Sequence, residues 1–309
     1  MPEIAVLIPC YNEETAIPQV IADFHVALPG AKIYVYDNNS KDRTVDVAKA
    51  AGAVVRKEPL QGKGNVVRRM FADVEADIYV LVDGDATYDA ASAPKMVKLL
   101  QDCQLDMVNG VRVTDIEKAY RPGHRFGNWL LTSMVAWIFG NRFTDMLSGY
   151  RVMSRRYVKS FPALSAGFET ETELTVHALE LRMPTAEMAT PYKDRPPGSV
   201  SKLSTFRDGF RILWTICVLA KEERPMQFFS LIAFFIAVVS ALLIAPIITH
   251  YLETGLVPRL PTAVLSMGLM IVAFLSLTCG LVLDTVTRGR RELKRMRYLG
   301  IPAVGNETR

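Results

Sequence analysis

Little in this 309-residue chain points to a structural metal or a covalent framework. Its four cysteines, Cys10, Cys103, Cys217 and Cys279, are scattered, with no CxxC pair and no histidine close by. That spacing argues against zinc sites and disulfide scaffolds. The four histidines show no metal-ligand spacing. There is no GxxxxGK[ST] phosphate loop, no internal repeat and no low-complexity tract. The N-terminus, "MPEIAVLIPCYNEE", lacks the basic n-region and long apolar core of a secretory signal.

Charge is missing from two stretches. Residues 226–250 ("MQFFSLIAFFIAVVSALLIAPIITH") and 262–283 ("TAVLSMGLMIVAFLSLTCGLVL") contain no Asp, Glu, Lys or Arg. Each reaches the roughly 20 residues that a helix needs to cross a bilayer. They account for a composition that is 50% hydrophobic and a mean hydropathy of +0.16. Polar interruptions are too few for buried core helices, so two membrane spans are expected. Pro246 is tolerable inside the first if a neighbouring helix covers the freed carbonyl. The second run is followed by "TRGRRELKRMRYLG" and the first is preceded by "AKEERP", whereas the connector "YLETGLVPRLP" has one Arg. Basic flanks stay in the cytoplasm. The expected order is therefore a cytoplasmic body (1–225), a span (226–250), an outward connector (251–261), a span (262–284) and a basic cytoplasmic tail (285–309). A net charge of +4 and a pI near 8.8 also suit contact with anionic lipid.

In the body, short apolar runs alternate with helical spacing: "EIAVLIP", "AKIYVYD", "AVVRKE", "IYVLVDGD" and "DMVNGVRV" read as strands. Helices of 10 to 15 residues between such strands imply a parallel sheet covered on both faces. Ligands of such sheets bind beyond the carboxyl ends of the strands. Three polar motifs sit at those ends: Pro9–Glu14, Asp37–Ser40 and Asp83–Asp85. The later segment "HRFGNWLLTSMVAWIFGN" fits a buried helix or an interfacial helix lying on the membrane equally well.

Asp83 and Asp85 flank Gly84 at the end of an apolar strand. Carboxylates this close repel unless a cation intervenes or one takes a proton. Hard oxygen ligands suit Mg²⁺ or Mn²⁺, held by one or two carboxylates plus substrate phosphates. Gly84 lets the backbone bend and a bulky ligand approach. Asn12, Glu13 and Glu14, with Asp37, Asn38, Asn39 and Ser40, offer groups that can read ribose hydroxyls and a base edge. The same residues also suit helix capping. Lys63, between two glycines at a helix start, is a plausible anion site.

Taken in order, "IPCYNEE", "DNNSKDRT", "GKGNVVR", "VDGD" and "DMLSGYRVMSRR" resemble family 2 glycosyltransferases of the GT-A fold. With two C-terminal spans, essentially the whole chain resembles the polyprenyl-phosphate glycosyltransferases. This group includes dolichyl-phosphate mannose synthase and bactoprenyl glucosyltransferases. The resemblance implies an α/β fold with a mostly parallel sheet and inverting transfer of one sugar from a nucleotide sugar to a lipid phosphate. It implies Mg²⁺ or Mn²⁺ at Asp83 and Asp85. Pro9, Tyr11, Asn12, Glu13, Asp37, Asn39, Lys63, Asp83 and Gly84 would face the donor. Arg112, Arg125, Arg151, Arg195, Ser199, Ser201 and Lys202 would gather the acceptor phosphate through Arg forks and hydroxyls. Asp85, Asp145 and Arg151 would serve catalysis. Asp145 is equally placed to orient the acceptor, act as base or pair with Arg151. Glu169, Glu171 and Glu173 precede a helix, where acidic residues are favoured anyway, so no chemical role is assigned to them.

The implied partners are the nucleotide sugar, a polyprenyl phosphate and the bilayer, with no nucleic acid. The implied setting is a bacterial inner membrane, and whether copies associate is left open. UDP-sugars are favoured over GDP-mannose on overall similarity alone. A processive polysaccharide synthase would carry QxxRW, which is absent, and a sugar nucleotidyltransferase would open with a loop such as GGxGTR. A non-catalytic membrane subunit is disfavoured by the intact "VDGD" and "SGYR".

Overall fold

Ile4–Cys10 (β1) is an apolar run buried along most of its length, as expected of a strand covered on both faces. In the computed structural model, residues 2–113, 133, 143–163, 167, 169–193, 218 and 221–305 are described. β1 pairs in parallel with Lys32–Asp37 (β2) and with Ile78–Leu81 (β4), and β2 pairs in parallel with Val54–Lys57 (β3). Helices Ile17–Ala27 (α1), Thr44–Ala50 (α2), Lys63–Asp73 (α3) and Ala93–Asp102 (α4) alternate with these strands as the sequence predicts. α1 buries Ile17, Val20, Ile21 and Phe24 on one stripe, the spacing of a helix laid on a sheet.

The chain builds β2 and β3 on one side of β1, then returns to place β4 on the other. The carboxyl ends of β1 and β4 thus form a topological switch point, where the strand order reverses and a crevice opens.

Beyond β4 the order is β6, β5, β7, completing a seven-stranded sheet. Met107–Val113 (β5) follows the predicted run, and Thr185–Pro191 (β7) lies parallel to it. Arg151–Ser154 (β6) runs antiparallel between β4 and β5. Its four residues are all buried, including Arg151, and sequence reading had not marked them as a strand. Ser154 ends β6 and caps Arg155–Ser160 (α5) by accepting from the Tyr157 backbone N–H. Thr170–Glu180 (α6) follows.

Pro225–Thr254 (α7) and Leu260–Leu299 (α8) contain the two uncharged runs. Only 17% of the most apolar window of each is enclosed, whereas a soluble core helix would be mostly buried. Both are long and apolar enough to cross a membrane, which suggests membrane association. Beyond Pro225 at the start of α7, their buried positions recur every seventh residue: Ala233, Ser240 and Ile247 on α7, and Ser266, Ala273, Gly280 and Thr287 on α8. Small residues let two helix backbones approach closely. A Cβ on Gly280 would lie 2.9 Å from that of Phe229. Ser240 and Ser266 each donate to the other's carbonyl, at 2.8 and 3.0 Å.

α8 does not end where its apolar run does. Residues 284–299 contain no proline and are rich in helix formers, and Gly300 is where the helix stops. By internal packing, Leu213–Glu292 forms one unit, while Leu293–Arg309 groups with Met1–Ile212. Part of the basic tail therefore packs within the α/β unit. Lys294 pairs with Glu180 at 2.6 Å. Tyr298 donates to Asp106 at 2.7 Å, and the Arg156 guanidinium lies over its ring at 4.8 Å. Asp106, fully enclosed, also accepts from Ser154 and from a two-pronged Arg156.

Replacing Asp106 by Ala leaves Arg156 without its carboxylate, so stability should fall by about 3 kcal/mol. Tyr298→Phe should lose about 1 kcal/mol. Unfolding of the detergent-solubilised protein measures both, and an unchanged Tyr298→Phe would show that the hydroxyl's bond to Asp106 adds nothing to the fold.

Candidate functional site

The loops after β1, β2, β3 and β4 meet at one edge of the sheet, stitched by short side chains bonding to neighbouring backbones. The Asn12 N–H donates to Ser40 Oγ (2.9 Å), and the Lys41 N–H donates back to Asn12 Oδ1 (2.8 Å). The Glu13 N–H donates to Thr44 Oγ1 at 2.9 Å. Asn38 donates to the carbonyls of Glu58 and Leu60 and accepts from the Gly62 N–H at 2.7 Å. Asn39 donates to the Pro59 carbonyl. Asn12 and Asn39 have positive φ (54° and 66°), a conformation asparagine tolerates better than most residues. The capping and turn roles weighed from the sequence are therefore real. Asp37 is buried and accepts from the Ser40 N–H. Pro9 in β1 and Tyr11 just beyond it are partly exposed, and Glu13 is buried.

The turn "DGDAT" follows β4. Ala86 takes a left-handed φ of 59°, which costs an alanine roughly 1 kcal/mol. Asp85 Oδ1 holds the turn by accepting from the Thr87 hydroxyl (2.6 Å) and N–H (3.2 Å). Gly84 sits on Cys10, and a Cβ there would come 2.7 Å from the sulfur. Asp83 lies against Gly149, whose Cβ would fall 2.4 Å from Oδ2. The glycine of "SGYR" therefore makes room for the first aspartate.

Lys63, the first residue of α3, reaches Asp83 Oδ1 and Glu171 Oε1, both at 2.5 Å. Burial opposes its charge, yet Asp83 and Glu171 outweigh burial and hold its pKa above the usual lysine value. Burial, then Glu13, Asp37, Asp83 and Asp85, push the Cys10 thiol well up. Tyr192 is also raised, chiefly by burial, with Asp85 and Asp83 adding to it. Both aspartates thus bear on the same two neighbours.

Arg112 forks onto Asp145 through Nε and Nη2, each at 2.7 Å, and lies over the Tyr192 ring at 5.7 Å. Asp145 is held further by its carbonyl, which accepts from Asn109, and Glu187 takes the Thr144 N–H and hydroxyl. The partner of Asp145 is Arg112, not Arg151. Arg151 is fully enclosed and donates to the carbonyls of Ser148, Met146 and Glu171. It braces the "SGYR" turn and the start of α6 from within. Arg125, Arg195, Ser199, Ser201 and Lys202 lie outside the described residues.

Three residues of the site were not marked as functional from the sequence: Glu171, Glu187 and Tyr88, whose hydroxyl accepts from the Gly149 N–H at 2.8 Å. Glu171 looked like an ordinary first-turn acid, and only the fold brings it to Lys63. Among the described residues no three ligand side chains gather around a point. Two neighbouring carboxylates at a crevice still fit Mg²⁺ or Mn²⁺, which draw their remaining ligands from substrate phosphates and water.

The sequence profile of "Glycosyl transferase family 2" matches residues 5–161. "Glycosyltransferase AglJ" of Haloferax volcanii is 35% identical over 237 residues, 75% of this chain and 76% of that protein. A "Dolichyl-phosphate hexose transferase" of the same organism is 28% identical over 222 residues, 72% of this chain and 96% of that one. Among solved structures, Mycobacterium tuberculosis glucosyl-3-phosphoglycerate synthase, in complex with Mn²⁺, UDP and phosphoglyceric acid, superposes with a TM-score of 0.57 at 24% identity. The match covers 71% of this chain and 78% of that one, and establishes likeness of fold.

Gly149→Ala should push the Asp83 carboxylate out of its place. Displacing this carboxylate by about an ångström is expected to lower turnover roughly a hundred-fold. The thermal midpoint, measured alongside, should stay close to that of the parent protein.

Proposed function

Because the chain belongs to glycosyl transferase family 2, we propose that it moves one hexosyl group from a nucleotide sugar to a polyprenyl phosphate at a membrane surface. The observation that carries this reading is the union, in one chain, of the paired-aspartate crevice and two helices fit to span a bilayer. A lipid-anchored acceptor is reached most directly by such a crevice tethered at the bilayer. The name and near-complete coverage of the dolichyl-phosphate hexose transferase relative support the same acceptor class.

Asp83 and Asp85 are the residues that would hold Mg²⁺ or Mn²⁺. When bound, the ion neutralises charge on the departing nucleoside diphosphate. Pro9, Tyr11, Asn12, Glu13, Asp37 and Asn39 line the donor's nucleoside end, with Lys63 and Gly84 nearer its phosphates. UDP is the favoured nucleotide. A phosphate acceptor is already ionised at neutral pH, so attack on the sugar's anomeric carbon needs little help from a base. Its oxygen bonds to that carbon as the bond to the diphosphate breaks, from the opposite face, which inverts the centre. Asp145 then orients the acceptor's cation, Arg112, and the buried Arg151 acts by bracing. Arg125, Arg195, Ser199, Ser201 and Lys202 complete the acceptor's cationic cradle. The basic stretch after the second apolar run supports a cytoplasmic catalytic face on a bacterial inner membrane.

Solubilised protein, a panel of labelled nucleotide sugars and undecaprenyl phosphate test this directly. Label should enter the lipid phase from one donor, stop on addition of EDTA, and be abolished by Asp85→Asn in protein that remains folded and membrane-bound. Nucleotide binding with no transfer to any polyprenyl phosphate would remove the lipid acceptor from the proposal.

A further inference from the structure

Lys63 occupies an electrostatically awkward post. It is the first residue of α3, at the positive end of the helix dipole, where a cation is disfavoured. Its side chain is only 10% exposed, and burying an ammonium is expensive without partners. Two carboxylates meet it there, Asp83 on the cleft side and Glu171 behind, the latter 8% exposed. Glu171 is fixed in turn. Its carbonyl accepts from the buried Arg151 (2.9 Å) and from Thr175. The enclosed guanidinium of β6, the first turn of α6, Lys63 and the first aspartate of the acidic motif form one continuous row. On its far side Asp83 is confined by Gly149, where no side chain stands.

This row has a chemical consequence for the metal. Without donor, Asp83 is already engaged by a cation, so a divalent ion arriving alone must compete with Lys63 for it. A donor brings phosphate oxygens that supply both further metal ligands and an alternative acceptor for the ammonium. We propose that Lys63, backed by Glu171, is a positioning residue that keeps Asp83 occupied until the donor arrives, so that metal and nucleotide bind as a unit and not separately. This deepens the reading in which Asp83 and Asp85 hold the donor's metal, and rests on it.

The test is Mn²⁺ binding to the full-length solubilised protein by electron paramagnetic resonance, with and without UDP. The parent protein should bind Mn²⁺ weakly alone and much more tightly with UDP. Lys63→Met frees Asp83, so affinity for Mn²⁺ alone should rise roughly ten-fold and the gain from UDP should shrink. The double variant Lys63→Met with Glu171→Gln should behave the same way, and it avoids leaving a buried glutamate unpaired. Glu171→Gln alone gives Lys63 wholly to Asp83, so Mn²⁺-alone affinity should fall. Opposite signs for the two single variants separate this role from simple damage, which lowers affinity in both. Unchanged or weaker Mn²⁺-alone binding in both lysine variants overturns the inference while leaving the metal site intact. If the parent binds no Mn²⁺ even with UDP, or Asp85→Asn binds it as well as the parent, the metal assignment itself falls and takes the inference with it.

Discussion

Carboxylates gathered at one sheet edge are the constraint on which this site depends. Glu13, Asp37, Asp83, Asp85, Asp145 and Glu171 are all buried or half-buried there. Left to themselves they would repel one another and take up protons. The fold answers with different devices. Backbone N–H groups and hydroxyls serve Asp37 and Asp85, a guanidinium fork serves Asp145, and one ammonium is shared between Asp83 and Glu171. The stitched loops beneath follow from the same need, because charges held this close must be fixed by rigid neighbours.

Local pattern made half of this legible. β1 to β5 and the intervening helices follow from alternation of apolar runs with helical spacing, and the polar motifs fall at strand ends because that is where a covered parallel sheet meets solvent. β6 escaped notice because four residues led by an arginine carry no strand signal. Its identity rests on what β4 and β5 leave between them. The Asp145–Arg112 fork was missed for a related reason: nothing near Asp145 in sequence says which of several arginines will reach it. Lys63 and Glu171 are joined only by tertiary packing, and a glutamate at a helix start has an adequate local explanation.

In the C-terminal part, composition identified the apolar runs but not the helix ends. Charge asymmetry marks where a membrane stretch stops, whereas helix propensity decides where the backbone stops coiling. The two criteria part company in α8, which runs on to Leu299 and contributes Lys294 and Tyr298 to the α/β unit. The seven-residue recurrence of mostly small side chains, Ala233, Ser240, Ser266, Ala273 and Gly280 among them, was present in the sequence. It is hard to see there, since serine, alanine and glycine scarcely disturb an apolar profile.

Cys10 illustrates what close packing under the acidic turn does to ordinary side-chain chemistry. Its sulfur lies directly beneath Gly84, sealed from solvent and ringed by carboxylates that disfavour the thiolate. Cys103, just after α4 and outside the apolar runs, is exposed. Alkylating reagents act on thiolates they can reach, so they distinguish these sulfurs without any engineered label. Modification at position 10 becomes a clock for how often the turn carrying both aspartates lifts from the sheet, read from the native sequence itself.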